Sequence, residues 1–233
     1  MAAQGQPPAA LVDFVQQLDA AASQENLSQV MRAYSSDLVH GDGLSDDDVE
    51  AALEQFWEQY SDLNYKTDIT SWEETSGGYT TETETTITGS RELGDQLLQL
   101  TAVLTAQQEI VGEQIVSQTI LSENNIITTG SNPPTLDINL PEQIDIGQQF
   151  YFDAIVMEPL DEHLVLGAAT ETIVNPSGYI APSPVEFDLL SSGGLFKMGR
   201  APTTPGQQWL SAVIIRDDGI TGVTRRLQIT PVE

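Results

Sequence analysis

Apolar and polar positions follow two different periods along this chain. Up to Tyr60 the apolar residues recur every three or four positions: Leu11, Phe14, Val15, Leu18 and Ala22, then Leu27, Val30, Met31 and Tyr34, then Val49, Leu53, Phe56, Trp57 and Tyr60. That spacing lines one face of a helix, so three helices are expected. Pro7 and Pro8 signal the start of the first, and Ser45 is the N-cap of the third. Asp46, Asp47 and Asp48 then occupy a first turn, where the helix dipole favours negative charge. From Tyr65 the period falls to two. Tyr79, Thr81, Thr83, Thr85 and Ile87 point one way, and Thr80, Glu82, Glu84 and Thr86 the other. Leu98, Leu100, Ala102, Leu104 and Ala106 alternate in the same manner with Gln99, Thr101, Thr105 and Gln107. These are strands with one solvated face. Ser76-Gly77-Gly78 and Gly112 turn the chain, and Ile115–Leu121 and Ile126–Thr129 continue the series.

Gly130-Ser131-Asn132-Pro133-Pro134 interrupts both periods, since two prolines stop helix and central strand alike. Beyond it come short strands: Leu136–Leu140, Gln149–Met157, Leu164–Ile173, Val185–Leu190, Trp209–Arg216 and Val223–Thr230. Asp217-Asp218-Gly219 is expected as a hairpin turn with Gly219 at positive φ. Gly193 to Pro202 reads as a loop that carries Leu195, Phe196 and Met198. The expected fold class is α+β: three helices on a curved antiparallel sheet over residues 8–130, a linker at 131–134, and a second, all-β sandwich domain over 135–233.

The order of elements over residues 8–130, with Tyr34, the turn Leu38-Val39-His40-Gly41-Asp42-Gly43 and the aromatic run Phe56-Trp57-Glu58-Gln59-Tyr60, resembles the nuclear transport factor 2-like (SnoaL-like) family. The resemblance implies a cone of helices on a bent sheet. That family holds dehydratases, isomerases, hydrolases, binding proteins and oligomerisation modules, so the resemblance names no reaction. The second half looks like an immunoglobulin-like sandwich without its disulfide.

Charge narrows the partners. Against 35 Asp and Glu stand 8 Lys and Arg, for a net charge of −27. A chain this acidic lacks the basic footprint that nucleic acid requires, and it is repelled by anionic membrane surfaces. No apolar run approaches the roughly 18 residues of a spanning helix, so membrane insertion is not expected. The absence of cysteine removes disulfide scaffolds, thiolate metal sites and thiol catalysis. The polar Ala/Gln/Gly/Pro start reads as a tether and lysine is scarce, so an exported, extracytoplasmic bacterial protein is expected, the alternative being a cytoplasmic one. Glu82 and Glu84 would set like charges together across a paired sheet face, which predicts a monomer or a weak dimer.

Candidate chemistry is sparse. His40 and Asp42 are the one acid–base pair the sequence offers, and as a general base they would make the first half an isomerase or hydrolase. The competing reading is a plain Gly-rich turn. Tyr34, Trp57 and Tyr60 are the candidate lining of an apolar ligand pocket, or else ordinary core. Leu195, Phe196, Met198 and Arg200 form a candidate contact surface for a protein partner. Asp42, Asp46, Asp47, Asp48 and Glu50 lack the spacing of a calcium loop, and Gly41-Asp42-Gly43 lacks a third glycine; neither a metal nor a cofactor is expected. His163 reads as an exposed turn residue. The function expected from these readings is a non-catalytic binding or assembly module, with a protein partner or a small apolar ligand. The alternative is the His40–Asp42 enzyme.

Overall fold

The computed structural model describes residues 5–159, 164–180, 186–190 and 193–232. In chain order the elements are α1 (Ala9–Ser23), α2 (Leu27–Arg32), β1 (Tyr34–His40), α3 (Asp46–Gln59), β2 (Ser61–Thr75), β3 (Gly78–Leu93), β4 (Gln96–Val111), β5 (Gln114–Gly130), β6 (Leu136–Asn139), β7 (Gln143–Asp145), β8 (Gln149–Val156), β9 (Leu166–Ile173), α4 (Pro176–Ile180), β10 (Asp188–Leu189), β11 (Gly194–Arg200), β12 (Gly206–Arg216) and β13 (Gly219–Thr230). They form two compact units. The first comprises residues 1–91, 100–123 and 175–180, and the second residues 92–99, 124–174 and 181–233. His163 and part of the expected strand Val185–Leu190 lie outside the described residues.

The expected fold class is corrected by these elements. Strands dominate: there are thirteen among the described residues, against four helices, and four strands run for 15 to 17 residues. The expected picture of three helices on a cone-shaped sheet overweights a helical stripe that the chain does not keep. Asn26 caps α2 by accepting from the Gln29 N–H, but the helix ends after six residues. Tyr34, placed by its spacing on that stripe, instead opens β1. Ile115 donates its N–H to the Ala33 carbonyl at 2.7 Å, and β1 then lies parallel to β5, with His40 opposite Gln118. Sheet hydrogen bonds to a distant strand outweigh a helix too short to propagate by itself.

In the first unit β2, β3, β4 and β5 are neighbours in that order, and β1 adds to β5. The period-two reading of β3 holds, since Thr81 and Thr83 are buried while Glu84 is exposed. Gly112 and Glu113 both adopt positive φ (56° and 65°), the geometry of a two-residue hairpin turn between β4 and β5. Leu11 and Val15 of α1 pack on Ile110 and Ile115, flanked by Phe14, Leu18, Tyr34, Trp72 and Tyr79. Helix α3 starts on a reciprocal cap. The Ser45 hydroxyl accepts from the Asp48 N–H at 3.2 Å, and Asp48 accepts from the Ser45 N–H at 2.9 Å. That backbone N–H, followed by the Ser45 hydroxyl, holds the Asp48 carboxyl below its ordinary range. The carboxylate half of the cap therefore contributes fully above the usual carboxylate pKa and is lost as pH falls through the depressed value. Ser45→Ala is expected to cost about 1 kcal/mol, read as a lower urea midpoint at neutral pH. An unchanged midpoint would show that α3 is held by packing alone.

In the second unit β10, β9, β12 and β13 follow one another, and β13 pairs with residues 124–130 of β5 and, in parallel, with β7. A separate sheet is ordered β11, β8, β6. Phe150, Phe152, Ala154 and Val156 of β8 meet Leu210, Ala212, Ile214, Leu227 and Ile229 in one core. Two details differ from expectation. Residues 194–200 are strand β11 rather than loop, paired in register with β8. Gly219 does not have positive φ; a Cβ there would fall 2.5 Å from the Pro133 Cα, so close approach of the chain demands the glycine. The same turn fastens residues 131–134. Arg216 donates to both carboxylate oxygens of Asp218 and to the Asn132 carbonyl, and the Thr221 hydroxyl donates to the Pro134 carbonyl at 2.6 Å.

Candidate functional site

The first unit holds a partly open cavity of about 140 Å3. Its walls are built by the alternation that made the strands. Thr83, Thr85 and Ile87 of β3, Leu104, Ala106 and Gln108 of β4, and Gln118 and Ile120 of β5 project into it, and Phe14, Val15, Leu18, Asp19 and Ala22 of α1 close it. Val30, Tyr34, Leu53, Tyr65 and Thr67 complete the lining. A small, mostly apolar space with a few convergent polar groups has the general form of a ligand site.

Its polar groups are tied in two sets. Asp19 accepts from the Thr67 N–H at 2.7 Å and the Thr67 hydroxyl at 2.6 Å, and that hydroxyl lies 2.9 Å from Thr85. The second set centres on Gln118. Its amide lies 3.4 Å from the Tyr34 hydroxyl, 2.9 Å from the Gln108 amide and 3.3 Å from His40 Nε2. Burial pushes the Tyr34 phenol up to about 12, with the Gln118 contact acting against it. Burial likewise pushes Tyr65 up to about 12, opposed by the bond it accepts from Trp57 Nε1 at 3.0 Å. Both phenols are neutral hydrogen-bonding groups at physiological pH.

His40 and Asp42 are brought together but do not line the cavity. Their side chains are 3% and 1% exposed and 4.0 Å apart. The Asp42 N–H donates to His40 Nδ1 at 3.1 Å, and the Tyr179 hydroxyl donates to Asp42 Oδ2 at 2.5 Å. Of the three residues read as a ligand pocket, Tyr34 lines the cavity. Trp57 stands behind it through Tyr65, and Tyr60 stacks on Phe56 at 5.0 Å with Arg91 over its ring. Leu195, Phe196, Met198 and Arg200 lie on β11 in the second unit. Leu195 is buried, Phe196 and Met198 are exposed, and Arg200 donates to the Gly147 carbonyl at 2.8 Å. Asp19, Gln108, Gln118 and Tyr179 escaped the reading of the sequence. The single available signal was a glutamine on each of two otherwise half-apolar strands.

Residues 131–230 match the family described as Domain of unknown function (DUF8623). No curated protein matches this sequence. Solved structures similar to part of it include a hypothetical protein with ketosteroid isomerase-like protein fold from Catenulispora acidiphila in complex with trimethylamine. It is 12% identical at a TM-score of 0.35, over 46% of this chain and 83% of that one. An LEH-like epoxide hydrolase of M. tuberculosis is 15% identical at a TM-score of 0.32, over 47% of this chain and 79% of that one. Likeness at that level fixes no chemistry.

Proposed function

We propose that the first unit is a binding module for a small, neutral, mostly apolar molecule about the size of one six-membered ring. The observation that carries this reading is the cavity: about 140 Å3 behind α1, close to the roughly 150 Å3 in which an apolar protein cavity accepts benzene. Its one charged wall residue, Asp19, is engaged by Thr67, and the chain's net charge of −27 repels anions. The enzyme alternative needs His40 and Asp42 to act on the bound molecule. They reach the cavity through Gln118, and an amide neither takes up nor releases a proton at ordinary pH. Binding, rather than acid–base chemistry, fits that arrangement.

Benzene and cyclohexanone are expected to raise the melting temperature and to change the fluorescence of Trp57, which hydrogen-bonds the cavity residue Tyr65. Ala106→Leu, which fills the space, is expected to abolish both effects while leaving the circular dichroism spectrum intact. Failure of every ring-sized probe to bind, or binding indifferent to a folded Ala106→Leu variant, would overturn the proposal.

A further inference from the structure

The Gln118 amide sits between His40 and Tyr34. Its two terminal atoms have nearly the same shape, so hydrogen bonding decides which faces which side. The Asp42 N–H donates to His40 Nδ1 at 3.1 Å. A ring nitrogen that accepts a hydrogen bond carries no proton, so the neutral ring holds its proton on Nε2. The Gln118 amide end nearest that nitrogen lies 3.3 Å away. An NH2 group there would point hydrogens at another N–H, whereas a carbonyl oxygen would accept from it. Turning the amide over relieves this conflict and keeps its other two contacts. Gln118 then donates to the Tyr34 oxygen and to Gln108, whose own amide turns with it.

We infer that Gln118 shows its carbonyl to His40 and its NH2 to Tyr34, so that Tyr34 accepts from Gln118 and turns its own hydroxyl proton into the cavity. The cavity then selects a ligand carrying a hydrogen-bond acceptor, a neutral carbonyl or ether oxygen, at that end. Among the described residues the Tyr34 hydroxyl has no acceptor other than Gln118, so in this orientation its proton is left for the ligand. Tyr34 is a specificity-determining residue in this scheme, and His40 and Gln118 are positioning residues. The inference rests on the binding reading above.

Cyclohexanone and methylenecyclohexane, alike in shape but differing in the acceptor oxygen, separate the two. Titrated into the full chain, cyclohexanone is expected to bind about tenfold more tightly, the worth of one buried hydrogen bond. Tyr34→Phe should erase that preference without losing methylenecyclohexane. Gln118→Glu should erase it too, because a carboxylate has no N–H and draws the Tyr34 proton to itself. The ring proton of His40 is read independently by nitrogen-15 NMR in a His163→Gln background, and is expected on Nε2. Equal binding of the two probes by the native protein would overturn the inference and leave the cavity reading standing. No binding of either probe would sink the cavity reading, and the orientation of Gln118 would then be judged by the tautomer. A proton on Nδ1 would overturn it in every case.

Discussion

Ile115→Ala is expected to destabilise the first unit by about 2–5 kcal/mol, the range for emptying a buried aliphatic site. Ile115 is 0% exposed and packs against Leu11, Val15 and Ile110. It also occupies the register position opposite Tyr34, and its N–H donates to the Ala33 carbonyl where α2 gives way to β1. The cavity left by truncation would therefore sit at the root of the strand that carries Tyr34 and His40. Ile115→Val, which removes a single methyl group, should cost about 0.5–1.5 kcal/mol. Urea unfolding followed by fluorescence in a Trp209→Phe background reports the first unit through Trp57 and Trp72. A cost below about 1 kcal/mol for the alanine variant would mean that the site collapses freely and that β1 is not anchored as described.

The second large effect is alkaline. Tyr34 and Tyr65 are each pushed by burial from 10.0 to about 12 in the folded chain. An acid whose folded pKa is raised contributes stability that is fully present below the unfolded value, near 10, and is lost as pH rises through the folded value. At pH 11 the unfolded phenol is ionised and the folded one is not, so each tyrosine should cost about 1.4 kcal/mol relative to pH 8. Beyond pH 12 the loss should approach about 2–3 kcal/mol each. Urea midpoints between pH 8 and pH 11 measure this. Tyr34→Phe and Tyr65→Phe should each flatten the pH dependence by about their share. A native protein equally stable at both pH values would show that the two hydroxyls are solvated.

How much was legible depended on how local the cause was. The third helix announced itself, because a Ser45–Asp48 cap and a dipole-matched first turn act within four residues. The strand faces of β3 and β4 were readable because alternation is a property of the pleat itself. Tyr34 deceived for the same reason: its spacing fits a helical stripe, and the partner that makes it a strand residue, Ile115, lies far along the chain. Gly219 was placed in the right turn for the wrong reason, since its need for no side chain comes from Pro133 and not from its own backbone angle.

The sequence by itself determined the acidity, the exclusion of thiol chemistry, and the periods of α1, α3, β3 and β4, because these rest on composition and on neighbours a few positions apart. Tertiary structure alone decided the site. His40 meets Gln118 through a parallel pairing, Asp19 meets Thr67 from α1, and Tyr179 reaches Asp42 across more than a hundred residues. Side chains so far apart in the chain share no local pattern. Their meeting follows from which strand each edge accepts and which face each helix covers, and both are settled by packing of the whole unit.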